Sequence, residues 1–253
     1  MLRNDKRFIY VIVMGYAKKC YNMRNIVDDY FEFYETFKEK YSEVLKSKSI
    51  GILSEFLDNK NNIIEFHKRY VQPNSPKIVM CGINPGRRGA GITGIPFIDT
   101  NSLSEMLPDI SNPKSEKSAK FFFSIIKEFG INEFYRNIHV TNMSWFGFYS
   151  LDKGININYN YLPIEIQNVL IDKFVEEMDF INPNVILPIG NIVNLELLNL
   201  KVKNRLSAVI GTKLYHPAYR LVERNTYIKV LTEYLTKLKS TNPSMCLTKI
   251  QRY

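Results

Sequence analysis

Cysteine is scarce in this chain, which has only Cys20, Cys81 and Cys246 among its 253 residues. Their wide spacing fits neither a zinc site nor an iron–sulfur cluster, and three cysteines do not make the disulfide framework of a secreted domain. Histidine is equally rare, with three residues. We therefore expect no metal site, and we expect a cytoplasmic location, where thiols stay reduced.

Long hydrophobic runs are also lacking. The apolar run Phe8–Ala17 follows basic residues, as in a signal peptide, but it is too short to span a bilayer and no small-x-small cleavage site follows it. A loose extension, or a translation start at Met14 or Met23, ranks above a core element, and an export signal ranks last. We therefore assign residues 1–22 to an N-terminal extension and expect no membrane partner.

Acidic residues are outnumbered by basic ones, 25 to 34, which leaves a formal net charge of +9. A basic surface favours an acidic partner, nucleic acid first, although a generic basic surface gives the same total. The apolar share of 45% can build a full core, and the chain shows no repeat, no low-complexity block and no second domain. We expect a monomer with one domain over residues 23–240 and a basic tail over residues 241–253.

Four apolar runs are typical of buried parallel strands, and helical patterns lie before and between them. The apolar runs are Lys77–Ile83, Asn137–Met143, Asn184–Ile189 and Ala208–Tyr215. The helical patterns are Met23–Lys46, Ser49–Tyr70, Ser115–Phe129, Pro163–Phe180, Asn191–Leu200 and Thr226–Lys239. Strands that alternate with helices predict an α/β fold, a three-layer α/β/α sandwich with a central, mainly parallel four-stranded sheet.

Four segments are expected to meet at the carboxyl ends of these strands, where open parallel sheets bind their ligands. They are the glycine-rich loop at residues 82–97, Thr141–Trp145, Pro188–Asn191 and His216–Arg220. Their convergence predicts a functional site at this edge of the sheet.

The glycine-rich loop, GINPGRRGAGITGIPF, nearly matches two phosphate-binding motifs. Read from Gly86, it has Ile92 where a P-loop needs its lysine. Read from Gly89, it fits G-x-G-x-x-G, but Pro96 would interrupt the helix that must follow a dinucleotide loop. A nucleotide-binding regulator is therefore a weak interpretation.

The same loop resembles the first motif of the uracil-DNA glycosylase superfamily, and most of all that of its single-strand-selective monofunctional (SMUG-type) branch. In that branch a strand ends in G-[MI]-N-P-G, and a glycine-bearing loop then reaches T-G-[VI]-P-F. This chain has Gly82–Gly86 and Thr93–Phe97, and the interval between the two parts is preserved.

The resemblance extends over about residues 77–220. Asn142, at the end of the next long strand, matches the base-reading asparagine of the branch, and His216 with its following proline matches the start of the final motif. The chain departs from the branch at Ala218 and Tyr219, where Ser and Pro often stand. The shape of the DNA-inserting loop therefore does not follow from the resemblance, whereas the histidine does.

The resemblance implies a DNA repair glycosylase that hydrolyses the N-glycosidic bond of a base flipped out of the helix. Asn84 would position the attacking water, and His216 would donate to O2 of the departing base as negative charge builds on it. No motif places a lysine to attack C1′, so a monofunctional enzyme without lyase activity and without a cofactor is expected. Taken alone, Asn84 would be part of an Asn-Pro turn.

Five residues are assigned to substrate binding on the same resemblance. Phe97 would stack on the flipped base, and Asn142 would accept from N3–H of uracil and donate to its O4. Gly82 and Ile83 belong to the motif that reaches the base, and Gly86 occupies the place that controls space beside C5. Taken alone, Phe97 would be a core residue and Asn142 a turn cap.

DNA contacts are expected from four further residues. Arg87, Arg88 and Arg220 are candidates for phosphate contacts, since the guanidinium fork suits phosphate oxygens. Tyr219 and Arg220, with Leu221, could form a wedge that enters the vacated stack, or simply the solvated start of the last helix.

The expected activity is excision of uracil, extended to related deaminated or oxidised bases, from single- or double-stranded DNA. A thymine/uracil mismatch glycosylase on the same fold is the nearest alternative. A catalytically silent relative that only binds nucleic acid is another, although the retained Asn84 and His216 argue against it.

Overall fold

The computed structural model describes residues 23–71, 78–108, 110–219 and 221–241. The predicted extension at 1–22 and nearly all of the predicted tail lie outside the described residues. The strands are β1 (Ile50–Ile52), β2 (Ile78–Gly82), β3 (Ile138–Asn142), β4 (Phe148–Ser150), β5 (Asn156–Ile157), β6 (Val185–Pro188) and β7 (Val209–Ile210). The α-helices are α1 (Met23–Lys46), α2 (Lys60–Tyr70), α3 (Ala90–Thr93), α4 (Thr100–Ser104), α5 (Lys117–Phe129), α6 (Ile131–Asn137), α7 (Ile164–Ile181), α8 (Asn191–Val202) and α9 (Arg224–Thr241), with short 3-10 helices at Glu55–Asn59 and Tyr159–Tyr161.

The central sheet has four parallel strands in the order β3-β2-β6-β7. Ile78 on β2 pairs with Ile138 on one side and with Val185 on the other. All residues of β2, β3 and β6 are buried, as expected of strands that are covered on both faces. The predicted α/β fold with a parallel four-stranded sheet is confirmed.

Helices flank this sheet and share one apolar core with it, and α5 shows why they form. Its buried side chains recur at steps of three and four residues, from Ala119 through Phe122 to Ile126. Glu116 caps the start of the helix by accepting a hydrogen bond from the N–H of Ala119 at 2.9 Å. Gly130, with a φ of +77°, ends it. The cap brings a carboxylate to the end of the helix that faces the site.

A second sheet of three short antiparallel strands, β1-β4-β5, was not predicted, and the predicted helical region Ser49–Tyr70 is wrong at its start. Ile50 pairs with Ser150 across this sheet. The two strands can approach because Gly51 has no side chain: a Cβ there would lie 2.5 Å from the ring of Tyr149. The α-helix begins only at α2. This sheet holds the β4–β5 hairpin beside the carboxyl edge of the central sheet.

The last predicted strand, Ala208–Tyr215, is shorter than expected, since β7 covers only two of its residues. The N–H of Thr212 donates to the hydroxyl of Tyr234 on α9 at 3.1 Å, so the chain turns away from β6 there. Pairing resumes at Leu214, which brings the chain to the carboxyl edge just before His216. Among the described helices, none combines the length and apolarity needed to cross a membrane.

Candidate active site

A cavity of about 460 Å³ opens at the carboxyl ends of β2 and β3. One wall is the glycine-rich loop from Ile83 to Ala90, a second is the β4–β5 hairpin, and the N-terminus of α5 closes a third side. Phe97, Asn142 and His216 complete the lining. The cavity therefore lies at the edge of the sheet where the sequence predicts a site.

Most of the predicted site residues border this cavity: Ile83, Asn84, Gly86, Arg87, Arg88, Phe97, Asn142 and His216. Gly82 lies directly beneath it, against Asn142 and Phe97. Tyr219 is not part of the lining; it is exposed and stacks on Tyr215. Arg220 lies outside the described residues. Pro188–Asn191 does lie at the end of β6, but it is not part of the lining and leads directly into α8.

The glycine-rich loop is closed by its own backbone hydrogen bonds. The N–H of Gly91 donates to the carbonyl of Gly86 at 2.9 Å, and a Cβ at Gly91 would lie 2.7 Å from that oxygen. The short helix α3 ends at Gly94, whose φ of +71° is the left-handed conformation that glycine tolerates best. Pro96 follows outside the helix. The glycines thus allow the loop to fold tightly onto itself. This packing role explains the glycine-rich sequence without a bound phosphate.

The side chain of Asn84 is anchored at both ends. Its Nδ2 group donates to the carbonyls of Pro85 at 3.3 Å and Ile157 at 3.4 Å. Its Oδ1 atom accepts from the N–H of Tyr159 at 3.2 Å. Because these partners come from β5 and the segment after it as well as from the loop, the orientation of the amide is set by tertiary contacts. An amide oxygen has two lone pairs, so Oδ1 retains one for a further donor.

Gly82 explains how Asn142 and Phe97 come together. The two strands place Gly82 and Asn142 side by side in the sheet. A Cβ on Gly82 would lie 2.4 Å from Oδ1 of Asn142 and 2.7 Å from Cζ of Phe97. Only a residue without a side chain leaves space for both groups, and this gives the first glycine of the motif a packing role under the site.

Phe97 adopts a backbone conformation that is uncommon for a bulky residue, with a φ of +58°. Its ring stacks on Phe122 with a centroid distance of 4.6 Å and an interplanar angle of 18°. Its centroid lies 6.4 Å from that of His216. Backbone strain of this kind persists only where the surroundings hold it, and here the stack on α5 does so.

His216 has a defined tautomer, because its Nδ1 atom accepts a hydrogen bond from the N–H of Ala218 at 3.1 Å. In the neutral ring the proton must then be on Nε2, which makes Nε2–H the donor left for the cavity. Burial lowers the pKa of His216 below its ordinary value, and the charge of Glu116 opposes this in part. The geometry and the lowered pKa both favour a neutral imidazole.

Arg87 and Arg88 stand at the rim of the cavity. The backbone N–H of Arg87 donates to Oδ1 of Asn156 at 3.2 Å, which ties the loop to the hairpin. Neither guanidinium forms an ion pair within the part of the chain that the structure describes. Two arginines without acidic partners can therefore meet an anion at the mouth of the site.

Sequence reasoning missed the part of the lining that comes from α5 and from the hairpin, which includes Glu116, Asn156 and Asn158. The sequence Ser115-Glu116 before a helical pattern is an N-terminal capping signal and could have drawn attention to Glu116. The hairpin residues gave a weaker signal, since Lys153-Gly154 marks only a turn. Within the described residues, no cluster of His, Cys, Asp and Glu could hold a metal ion.

Comparison with known proteins agrees with this arrangement. The family model of the uracil DNA glycosylase superfamily matches residues 69–239, more than half of the chain. The crystal structure of wild-type SMUG2 from Pedobacter heparinus is similar, with a TM-score of 0.64 and 23% sequence identity over 77% of this chain and 89% of that chain. No curated protein matches the sequence. The matched segment contains the first motif, Asn142 and His216, and the chain belongs to the uracil-DNA glycosylase superfamily.

Proposed function

We propose that this DNA glycosylase excises uracil, and related deaminated or C5-modified bases, after flipping them into the cavity. The observation that carries the proposal is the side chain of Asn142, which is only 4% exposed and borders the cavity. Among the described residues no hydrogen bond joins this amide to the protein, and its polar atoms are not sealed off from the cavity. Both its donor side and its acceptor side are therefore free to pair with a ligand bound in the cavity.

Uracil carries the complementary edge. The Nδ2 group of Asn142 would donate to O4 of the base, and its Oδ1 would accept from N3–H. Cytosine offers an amino donor and an unprotonated ring nitrogen in these places, so both contacts would be mismatched. A site that recognises its substrate by buried hydrogen bonds rejects such analogues strongly.

Phe97 would hold the flipped base by stacking. One face of its ring is covered by Phe122, and the ring borders the cavity, which leaves the other face for a planar ligand. Stacking replaces part of the base stacking that is lost when a nucleotide leaves the helix. Because the Phe97 backbone is already in its strained conformation, the platform needs no rearrangement on binding.

His216 would stabilise the departing base. As the N-glycosidic bond breaks, negative charge moves onto the base, and the Nε2–H of a neutral imidazole donates to O2 where that charge collects. The bond from Ala218 to Nδ1 keeps the ring in this tautomer. The interaction strengthens only as the charge develops, and for this reason it acts on the transition state more than on the bound substrate.

Asn84 would orient the water that attacks C1′. Three backbone contacts hold its amide, and the remaining lone pair of Oδ1 can accept from that water. An amide is a very poor base, so bond breaking must run ahead of water attack, through an oxocarbenium-like sugar. No lysine is needed in this scheme, which is why we propose a monofunctional enzyme.

Gly86 supports a scope beyond uracil. A Cβ at this position would have only the side-chain nitrogen of Asn156 nearby, at 3.2 Å. The cavity therefore has free space beside the position proposed for C5 of the base. Bases with a C5 substituent would fit there, and the same space would admit thymine. A thymine/uracil mismatch glycosylase therefore stays the second candidate.

Arg87 and Arg88 would contact the phosphates that flank the flipped nucleotide. Phosphate contacts release counterions, and the affinity for DNA should fall steeply with salt in a protein of net charge +9. We further propose that the enzyme acts as a monomer in the cytoplasm and needs no cofactor.

The test is a panel of oligonucleotides that carry uracil, hydroxymethyluracil, thymine opposite guanine, hypoxanthine or xanthine, in single and double strands. Abasic sites formed by the purified protein are cleaved with alkali and counted. We expect uracil to react in both forms, and the variant Asn84→Ala to bind the same DNA while losing at least ~100-fold in single-turnover rate. DNA binding without product from any base would identify a silent relative and end the proposal.

A further inference from the structure

Glu177 is a buried carboxylate that the proposed reaction does not use. It lies on α7, is 8% exposed, and faces β3. Its partners there are His139 and Thr141, which stand two residues apart and so point to the same face of the strand. Asn142, the next residue along β3, points to the other face, toward the cavity. Glu177 therefore lies behind the strand that carries the proposed base reader.

The carboxylate of Glu177 takes part in three side-chain hydrogen bonds. Its Oε1 lies 2.7 Å from Nε2 of His139, and its Oε2 accepts from Oγ1 of Thr141 at 2.9 Å and from Nε1 of Trp145 at 2.8 Å. Tryptophan can only donate, and the hydroxyl donates here as well. Both bonds on Oε2 therefore run toward the carboxylate, and the ring nitrogen of His139 lies against Oε1, so that both oxygens have partners.

These bonds bracket Asn142 in the sequence. Thr141 precedes it directly and Trp145 follows three residues later, so one carboxylate oxygen holds the chain on both sides of the base reader. The backbone between them is also tied to the first motif, through bonds from the N–H of Met143 to Gly82 at 2.9 Å and from that of Ser144 to Ile83 at 3.1 Å. The turn after β3 is thus fixed from two directions.

Close packing does not hold this segment by itself. A second cavity of about 60 Å³ lies behind Asn142 and is bordered by Glu177, His139, Thr141 and Trp145. That is room for about two waters, since each takes roughly 30 Å³ of liquid volume. Glu177 and its three partners border this space, and their hydrogen bonds add to the pairing with β2 in setting the position of the strand end.

We propose that Glu177 is a positioning residue for base recognition: it fixes the strand end so that the amide of Asn142 meets the edge of the base in register. This inference rests on the proposed function. Displacement of a reacting or recognising group by about 1 Å can lower a rate ~100-fold. The role predicts a loss of selectivity, which a residue needed only for folding would not produce.

The variants Glu177→Leu and Glu177→Gln distinguish the effect of the three hydrogen bonds from the effect of the carboxyl group itself. Leucine removes all three bonds. Glutamine can keep them, because its oxygen accepts from Thr141 and Trp145 while its NH₂ donates to His139 in the other tautomer. Glu176→Leu is the matched control, since Glu176 is exposed on the same helix and its bond is to Lys173.

We expect Glu177→Leu to lower the single-turnover rate on uracil by ~100-fold, and to lower the uracil-to-cytosine ratio by at least ~10-fold. Affinity for DNA that already contains an abasic site should stay unchanged, because it involves no base. Glu177→Gln and Glu176→Leu should stay close to the parent protein in rate and ratio. A folded Glu177→Leu protein with a normal rate and ratio would overturn the inference, and so would a Gln variant as impaired as Leu.

Two further measurements keep the inference testable. If the leucine variant does not fold, Thr141→Val removes one of the three bonds at almost constant shape, and it should lower the uracil-to-cytosine ratio in the same direction.

If the parent protein excises no base at all, the proposed function fails, but the position of Asn142 is still observable. Its side-chain NH₂ signals in a ¹⁵N-labelled sample, assigned by their loss in Asn142→Ala, should shift in Glu177→Leu and stay in place in Glu176→Leu. Unshifted signals would refute the positioning role.

Discussion

Asn84 holds its side-chain amide against three backbone groups, so its orientation exists before any substrate binds. A polar group that is fixed in advance need not reorganise when charge develops, and this is where much of the catalytic benefit of an enzyme site arises. Asn142 is in the opposite condition: most of its surface is buried, but its amide borders the cavity and no hydrogen bond joins it to the protein among the described residues. In the proposed function the first amide would hold a water, and the second would receive a base.

Asn142→Asp should change which base is chosen. An ionised aspartate offers acceptors only, so O4 of uracil would face a carboxylate oxygen, a penalty of ~1–3 kcal/mol or more. The N4 amino group of cytosine would find an acceptor there, and its disadvantage should shrink. We therefore expect most uracil excision to be lost and the uracil-to-cytosine ratio to fall, measured in otherwise identical single-stranded oligonucleotides. An unchanged ratio would show that another residue reads the base.

His216 should make excision pH-dependent on the acid side only. Its pKa lies below the ordinary value of 6.5, so the ring is neutral at pH 7 and above. As the pH falls through the lowered pKa, a proton on Nδ1 opposes the N–H of Ala218 and breaks the bond that orients the ring. We expect a flat rate between pH 7 and 8.5 and a decline below pH 6.5, checked by single-turnover kinetics.

The variant His216→Leu provides the control for that profile. It should lose ~100- to 1,000-fold in the chemical step, with a much smaller loss of substrate affinity. Its residual activity should lack the acid decline. If affinity and rate fall together, His216 serves docking rather than the leaving base.

Two helices beside the site, α4 and α5, are joined at their starts by one carboxylate, that of Asp99. It is fully buried; its Oδ1 accepts from the N–H of Ser102 in α4 at 2.7 Å, and its Oδ2 accepts from the N–H of Glu116 at the start of α5 at 2.5 Å. It stands two residues after Phe97, behind the cavity lining. Asp99 therefore fixes where the stacking platform and the N-terminus of α5 meet.

Asp99→Ala should destabilise the protein by ~2–4 kcal/mol, because it removes a cap and leaves two backbone N–H groups without an acceptor. Asp99→Asn should fall in between, since its amide oxygen can serve only one of the two. Urea unfolding measures both, with Asp152→Ala on the exposed hairpin turn as the control, where the change should stay within ~0.5 kcal/mol. Equal stability of Asp99→Ala and the parent would contradict the capping role.

The stability of the whole fold should decrease in acid because of His67. Burial lowers the pKa of His67 from 6.5 to about 4, while its Nδ1–H donates to the carbonyl of Ile63 at 2.8 Å. The unfolded chain binds this proton at higher pH than the folded one. The stabilisation is therefore complete above pH 6.5 and is lost as the pH falls toward 4.

We expect the free energy of unfolding to decrease by roughly 2–3 kcal/mol between pH 6.5 and 4 on account of His67, at 1.36 kcal/mol per pKa unit and with allowance for partial exposure. In His67→Asn the side-chain NH₂ can replace the donor to Ile63, and this part of the pH dependence should vanish. Urea unfolding of both proteins across that range tests it. Parallel curves would mean that His67 does not titrate on unfolding.

The sequence was sufficient for β2, β3 and β6 because each is an apolar run buried on both faces, a pattern that depends little on its neighbours. It was insufficient for β1, since Ile50–Ile52 continues an apolar helical pattern and becomes a strand only because Gly51 fits against Tyr149. It also missed α6, seven residues at Ile131–Asn137 that are too few for a helical period to stand out.

The amino-acid sequence by itself determined the buried strands of the sheet, because these depend on local patterns, and its resemblance to the family singled out Asn84, Phe97, Asn142 and His216. Only the tertiary structure decided which way their polar atoms face. The tautomer of His216, the anchored amide of Asn84 and the carboxylate of Glu177 behind β3 all depend on contacts between residues far apart in the chain. Such contacts leave no period or motif in a single sequence, since hydrogen-bond partners are chosen by distance in space.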